Sequence, residues 1–265
     1  MDLGLRSPLL DFFKRGEVAR DVRLLAAGGA LAPRALEQVA LLAILTEDGD
    51  PEVRATSEAT LAKIPTTSMA GFLGRPDVPE GLRDFFRARG IEPTPGGDLG
   101  DEPLIDVESS GADAAVAAEG DADDEAAQQS VSQKLALLGV GERMKAAMKG
   151  TKSERAVLIR DPNKLVSAAV LSSPKLSDSE VENFAKLANV SEEILRTIGT
   201  NRGWTKNYSV VSALTKNPKT PLAVSMRFVQ RLNDRDLKMI ALDRNLQEPL
   251  KLAVRKRISD ANEKK

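Results

Sequence analysis

The 265-residue chain contains no histidine and no cysteine. That rules out imidazole and thiolate metal sites, disulfides, and the Ser-His-Asp and Cys-His nucleophile systems. Carboxylates, Lys, Tyr and Ser remain as acid/base or nucleophilic groups. The expectation is a protein that is not an enzyme, with no catalytic, cofactor-binding or metal-binding residues, no cofactor and no small-molecule substrate. Aromatic residues make up only 3%, with one Trp and one Tyr, which suits an Ala/Leu-rich helical protein better than a β-sandwich or a base-stacking surface. No stretch approaches eighteen consecutive apolar residues, so no membrane span is expected. The amino terminus, "MDLGLRSPLLDFFKRGEVAR", mixes charges among short apolar runs and has no signal-peptide core. The expected location is cytoplasmic, which the absence of cysteine fits.

What is present is unevenly charged. The net charge of −1 conceals three zones. Residues 1–92 carry 12 Lys and Arg against 14 Asp and Glu. Residues 93–127 carry 11 acids and no base, and residues 128–265 carry 26 bases against 14 acids. The middle zone is rich in Gly, Pro, Ala and acid, and cannot bury enough apolar surface to offset the entropy of ordering. The expected organisation is an amino-terminal helical module (1–92), a disordered acidic linker (93–127) and a basic helical-repeat module (128–265).

Both flanking zones are written in helical periods. Between 32 and 65, Leu36, Val39, Ala40 and Ala43 share one helical face, and Val53, Ser57, Thr60 and Leu61 share another. "EDGDPEVR" between them places Asp50 as an N-cap, Pro51 at the first helical position and Glu52 beside the positive helix end. This helix, turn and "DPEVR" restart resembles a HEAT-type repeat over about 35 residues, and "GRPDVPEGLRDFFRARG" (74–90) follows the same grammar more faintly. From 151 the chain breaks at Pro or Asn into eight segments of 11 to 16 residues with no strand-like alternation, as expected of stacked antiparallel helix pairs.

One echo stands out there. "ALTKNPKTPLAVSMR" (213–227) returns 28 residues later as "ALDRNLQEPLKLAVR" (241–255), and "SSPKLS" (172–177) echoes "KNPKTP" (216–221). The shared Asn, Pro and Leu read as corner-building residues. Asn217 and Asn245 would end helices in the left-handed region. Thr220 would cap the next helix. Pro221 and Pro249 would sit at helix starts, and Leu222, Met226, Val229, Leu250 and Val254 would face the core. "NPKTP" resembles the corners of leucine-rich-repeat-variant and HEAT-like α-solenoids. "VGERMKAAMKG", "LIRDPNKLV" and "NRGWTKNY" resemble a family of bacterial proteins of uncharacterised function over roughly 134–258. The resemblance implies an all-α solenoid fold in a bacterial cytosol and brings no activity.

The corners leave the basic residues of the echo unexplained. Lys216 with Arg244, and Arg227 with Arg255, occupy repeated slots, and stacked repeats would set them in a ladder. With Arg231, Lys238, Lys251, Lys256 and Arg257 they form a candidate basic stripe, to be weighed against an ordinary solvated face. Trp204 and Tyr208, four apart, are a candidate aromatic hot spot if they share a helical face, or else a core wedge. The functional expectation is a scaffold that docks a protein partner, acidic where the stripe is the contact. The alternative is phosphate-backbone binding to nucleic acid. A HEAT-like DNA glycosylase is set aside, because no carboxylate matches such a cleft. A further reading has the acidic zone folding over the basic one and competing with its ligand.

Overall fold

Capping side chains start the helices where the sequence places them. Asp50 Oδ1 accepts from the Glu52 N–H at 2.9 Å, with Pro51 opening the helix. Asn163 Oδ1 accepts from Leu165 N–H at 2.9 Å, and Asp161 Oδ1 accepts from Asn163 N–H at 2.7 Å, so Asp161-Pro162-Asn163 is the expected turn and cap. The computed structural model describes residues 3–5, 7–32, 34–95, 100–105 and 125–263. Among these there are sixteen α-helices and no strand, as the all-α expectation requires. They form two compact units, Met1–Lys175 and Leu176–Lys265.

The first unit holds α1 (Pro8–Lys14), α2 (Arg20–Ala27), α3 (Ala35–Leu45), α4 (Pro51–Leu61), α5 (Thr66–Leu73), α6 (Glu80–Arg87), α7 (Glu125–Ala136), α8 (Val140–Lys149), α9 (Lys152–Leu158) and α10 (Lys164–Leu171). Helices α2 and α3 pack on α4, while α1 packs on α3 and α10, and α2 on α8. The unit boundary is thus drawn by packing and the zones 1–92, 93–127 and 128–265 by charge, and the two divisions do not coincide. Buried Leu9, Leu10, Leu41, Leu42, Phe72 and Phe86 anchor the core.

Part of the acidic zone departs from expectation. Residues 100–105 are held rather than disordered. The buried Gln38 side chain on α3 donates to Ile105 O at 2.9 Å and accepts from Ile105 N–H at 3.1 Å, as a neighbouring strand would. Its Nε2 also donates to Gly29 O at 3.0 Å, and Ala35 N–H reaches Asp101 O at 3.2 Å. A peptide group satisfied this way need not rely on apolar burial. The rest of the expected linker, 96–99 and 106–124, lies outside the described residues, and so does the reading in which it covers the basic zone.

The second unit holds α11 (Asp178–Lys186), α12 (Glu192–Thr200), α13 (Tyr208–Lys216), α14 (Leu222–Phe228), α15 (Asp234–Leu242) and α16 (Glu248–Glu263), with 3-10 turns at Trp204–Lys206 and Val229–Arg231. Each of the eight segments read after residue 151 contains one α-helix. Helix α11 packs on α13, while α12 packs on α14 and α14 on α16. The α12–α14 approach is close: a Cβ on Gly199 would lie 2.4 Å from Val224 Cγ1.

The corners are built differently from the expectation. Asn217 is extended (φ −85°, ψ 120°) rather than left-handed. Its buried amide donates to Ala185 O at 2.8 Å and Leu187 O at 2.9 Å, and its Oδ1 accepts from Lys219 N–H at 3.0 Å. The side chain thus satisfies carbonyls at the end of α11, which gives Asn a role that needs no positive φ. The corresponding residue after α15 is Asp243, whose Oδ1 accepts from Asn245 N–H at 2.8 Å. Helices α13 and α15 start at 208 and 234 and end at 216 and 242, and α14 and α16 start at 222 and 248. The structural period is therefore 26 residues, two short of the sequence echo. Pro221 is the N-cap position of α14, whereas Pro249 lies inside the first turn of α16. Thr220 is buried and caps nothing; its Oγ1 has no hydrogen-bond partner among the described residues. Met226, expected in the core, is 40% exposed, because the buried face of α14 runs through Val224, Ser225 and Phe228. Val229, Leu250 and Val254 are buried as expected.

Two substitutions test these devices. Asn217→Ala leaves the Ala185 and Leu187 carbonyls without their donor and is expected to cost about 2 kcal/mol, read from a urea midpoint with an unchanged m-value. Gln38→Ala is expected to raise hydrogen exchange at Ile105 while leaving exchange across α13 unchanged. Equal protection at Ile105 would contradict the assignment.

Candidate functional site

A polar cluster of the second unit is assembled by helical spacing. Tyr208, Ser212 and Lys216 stand four apart on one face of α13. They meet Asp236, in the first turn of α15, which is carried there by the Asn233 N-cap accepting from Asp236 N–H at 2.8 Å. The Asp236 carboxylate accepts from Lys216 Nζ at 2.7 Å, from Ser212 Oγ at 3.0 Å and from the Tyr208 hydroxyl. The Tyr208 oxygen in turn accepts from Asn233 N–H at 3.1 Å.

Burial pushes the Asp236 carboxyl up, but the hydrogen bonds from Lys216, Tyr208 and Ser212 and the lysine charge outweigh it and hold it below the ordinary carboxylate range. Burial raises the Tyr208 phenol, and the neighbouring carboxylate raises it further against the opposing Asn233 N–H. Each polar group of the cluster has its partner within it, so its chemistry is that of a clasp between α13 and α15. In front of it an open groove of about 350 Å³ is lined by Glu182, Lys186, Tyr208, Ser209, Ser212 and Pro218. Its outer wall is an ion pair, Lys186 Nζ to Glu182 Oε1 at 2.6 Å.

The candidate basic stripe divides into engaged and unengaged residues. Lys216 is held by Asp236, as above. Arg231 Nη2 donates to Thr205 O at 2.6 Å, and its guanidinium lies over the Phe228 ring. Arg257, 26 residues on, makes a longer contact, to Gln230 O at 3.4 Å, one residue short of the equivalent acceptor. Arg255 reaches Ala241 O at 3.4 Å. Lys251, expected on an exposed face with Arg255, is only 7% exposed: it shares the buried stripe of Leu250 and Val254, and its ammonium meets Glu248 at 2.6 Å. Arg227, Lys238, Arg244 and Lys256 are exposed, with no hydrogen bond or ion pair among the described residues.

The slots of the echo separate as well. Lys216 ends α13, and the residue that ends α15 is Leu242, with Arg244 two residues beyond. Trp204 lies in a 3-10 turn and Tyr208 opens α13 after the Asn207 cap, so the two do not share one helical face.

Sequence reasoning passed over Ser212 and Asp236, although the spacing 208, 212, 216 was a signal that α13 has a polar face. It also passed over Met239, Leu242 and Leu252, all large, apolar and exposed. Among the described residues no cluster of acids is arranged to hold a metal ion, and no helix is long and apolar enough to cross a membrane. No family model, curated protein or solved structure matches the chain.

Asp236→Asn tests the clasp. It is expected to cost about 2–3 kcal/mol at neutral pH. Because the folded carboxyl sits below its ordinary value, its contribution is present above the unfolded value of 3.8 and is lost as pH falls through the folded one. Stability of the wild type should therefore drop more steeply in acid than that of the variant. The raised Tyr208 value adds a loss above about pH 10 that Tyr208→Phe removes. Urea melts across the pH range check both, and identical acid limbs would contradict the clasp.

Proposed function

We propose that the chain is a non-enzymatic, HEAT-like helical-repeat adaptor whose carboxy-terminal unit docks an acidic protein partner. The observation that carries this reading is the set of exposed cations Arg227, Lys238, Arg244 and Lys256, which have no hydrogen bond or ion pair among the described residues. A fold spends its charges where it needs them, as with Lys216, Arg231 and Lys251; cations left over are available to a ligand. Support for the repeat architecture comes from two successive helix pairs, α13–α14 and α15–α16, in a 26-residue register, and from the packing of α11 on α13, of α12 on α14 and of α14 on α16. Support for a non-catalytic role comes from the Asp236 cluster, whose acid, phenol and amine are consumed in joining two helices. Exposed Met239, Leu242 and Leu252 among the cations favour a protein over a nucleic acid, whose backbone offers phosphates and no apolar anchors.

The test is capture by the full chain and by a variant carrying Arg227→Glu, Lys238→Glu, Arg244→Glu and Lys256→Glu. All four positions are exposed, so the variant should fold with an unchanged melting temperature. Proteins retained by the wild type at low salt are expected to be lost from the variant, and equal recovery overturns the reading. Retention of a duplex oligonucleotide with a steep salt dependence, in place of protein, would favour the nucleic-acid alternative.

A further inference from the structure

The 26-residue register identifies the residues by which one helix pair receives the next. On α13 these are Tyr208, Ser212 and Lys216, which meet Asp236 of α15. Moved forward by one period, the same slots on α15 are Asp234, Lys238 and Leu242. Among the described residues nothing covers the Lys238 and Leu242 slots, and both are exposed. Buried Asp236, Leu237 and Ile240 mark the inner side of α15, and Arg235, Lys238, Met239 and Leu242 lie on the opposite side. Met239 is 53% exposed and Leu242 82%. On α16, Leu252 is 59% exposed, and Arg255, three residues on, reaches Ala241 O beside Leu242. Helices α15 and α16 thus expose two leucines and a methionine, bordered by Arg235, Lys238 and Arg255.

We infer that this outer face of α15, extended by Leu252, is the docking site of the acidic partner, and that the partner binds as an amphipathic helix in the place of the next repeat. The inference rests on the adaptor reading above. An incoming helix lays its apolar stripe on Met239 and Leu242, as helix-in-groove ligands do. Its carboxylates reach Lys238 and Arg235 in the way Asp236 reaches Lys216 one period earlier. Charge favours this occupant over a second copy of the chain, because a second copy meeting through α15 would bring its own Arg235 and Lys238 to the same cationic face. It also explains why the apolar slots sit among cations: the anchors supply affinity and the cations supply choice of partner and on-rate.

The experiment uses the full chain and a fluorescent peptide of about 18 residues, with leucines in one helical stripe and glutamates flanking it. A control peptide of the same composition has the stripe scrambled. Anisotropy should show the striped peptide binding at least about tenfold more tightly than the scrambled one. Met239→Asp with Leu242→Asp should weaken it by at least about tenfold, and Lys238→Glu should weaken it and flatten its salt dependence. Equal binding of the two peptides, or no effect of the Met239 and Leu242 changes, overturns the site. If those changes are silent while the fourfold charge reversal still abolishes protein capture, the adaptor reading stands and only this site fails. If capture is also unaffected by charge reversal, both fail. Self-association of the wild type in sedimentation, abolished by the Met239 and Leu242 changes, would assign the face to a second copy and overturn the inference.

Discussion

A buried carboxylate ties α15 to α13, alongside the packing of α14 on α16. Asp236 gathers a lysine, a serine and a tyrosine from one face of α13, and Asn233 holds it at the start of α15. The dependence is strong because the helices are short: α13 and α15 have nine residues each and α14 has seven. Helices of that length do not persist alone in water, so their stability comes from what they touch. The same logic governs Asn217, which satisfies the carbonyls ending α11 from the end of α13. Polar side chains at helix ends thus carry neighbour-to-neighbour order, while the apolar residues behind them, such as Val211, Leu214, Leu237 and Ile240, provide the bulk of the burial.

These polar links also determine which charges are left for other work. Of the nine cations in the candidate stripe, Lys216, Arg231 and Lys251 have short contacts within the chain, and Arg255 and Arg257 have long ones. A sequence records a lysine without recording its partner. Lys251 shows why the two cannot be separated in advance: its aliphatic stem packs with Leu250 and Val254, and only the ammonium needs an acid, which Glu248 provides.

Much of the architecture was legible because it depends on local rules. Eight segments bounded by Pro and Asn gave eight helices, and the caps at Asp50 and Asn163 lie where carboxylate- and amide-bearing residues precede helical runs. Two features out of reach of local rules share a cause: each concerns a side chain bonded to a distant segment. Asn217 reads as a left-handed stop until Ala185 and Leu187, thirty-odd residues earlier, are seen to need its donors. Gln38 reads as an ordinary helix residue until Ile105 is laid beside it. The 28-residue echo misled in another way. It matched prolines, but Pro221 and Pro249 occupy different positions relative to their helix starts, so the likeness of letters ran two residues ahead of the likeness of structure.

The 26-residue register carries an implication for how such a unit changes length. The caps Asn207 and Asn233, and the acceptors Asn217 and Asp243 that turn the chain after each helix, recur at that interval. A tandem duplication of residues 207–232 would keep these caps and turns in step, but it would place Val210 in the slot of Asp236, and the new junction would lack the carboxylate that Tyr208, Ser212 and Lys216 meet. A change of length that preserved the polar link would therefore have to bring an acid into that slot as well as keep the spacing.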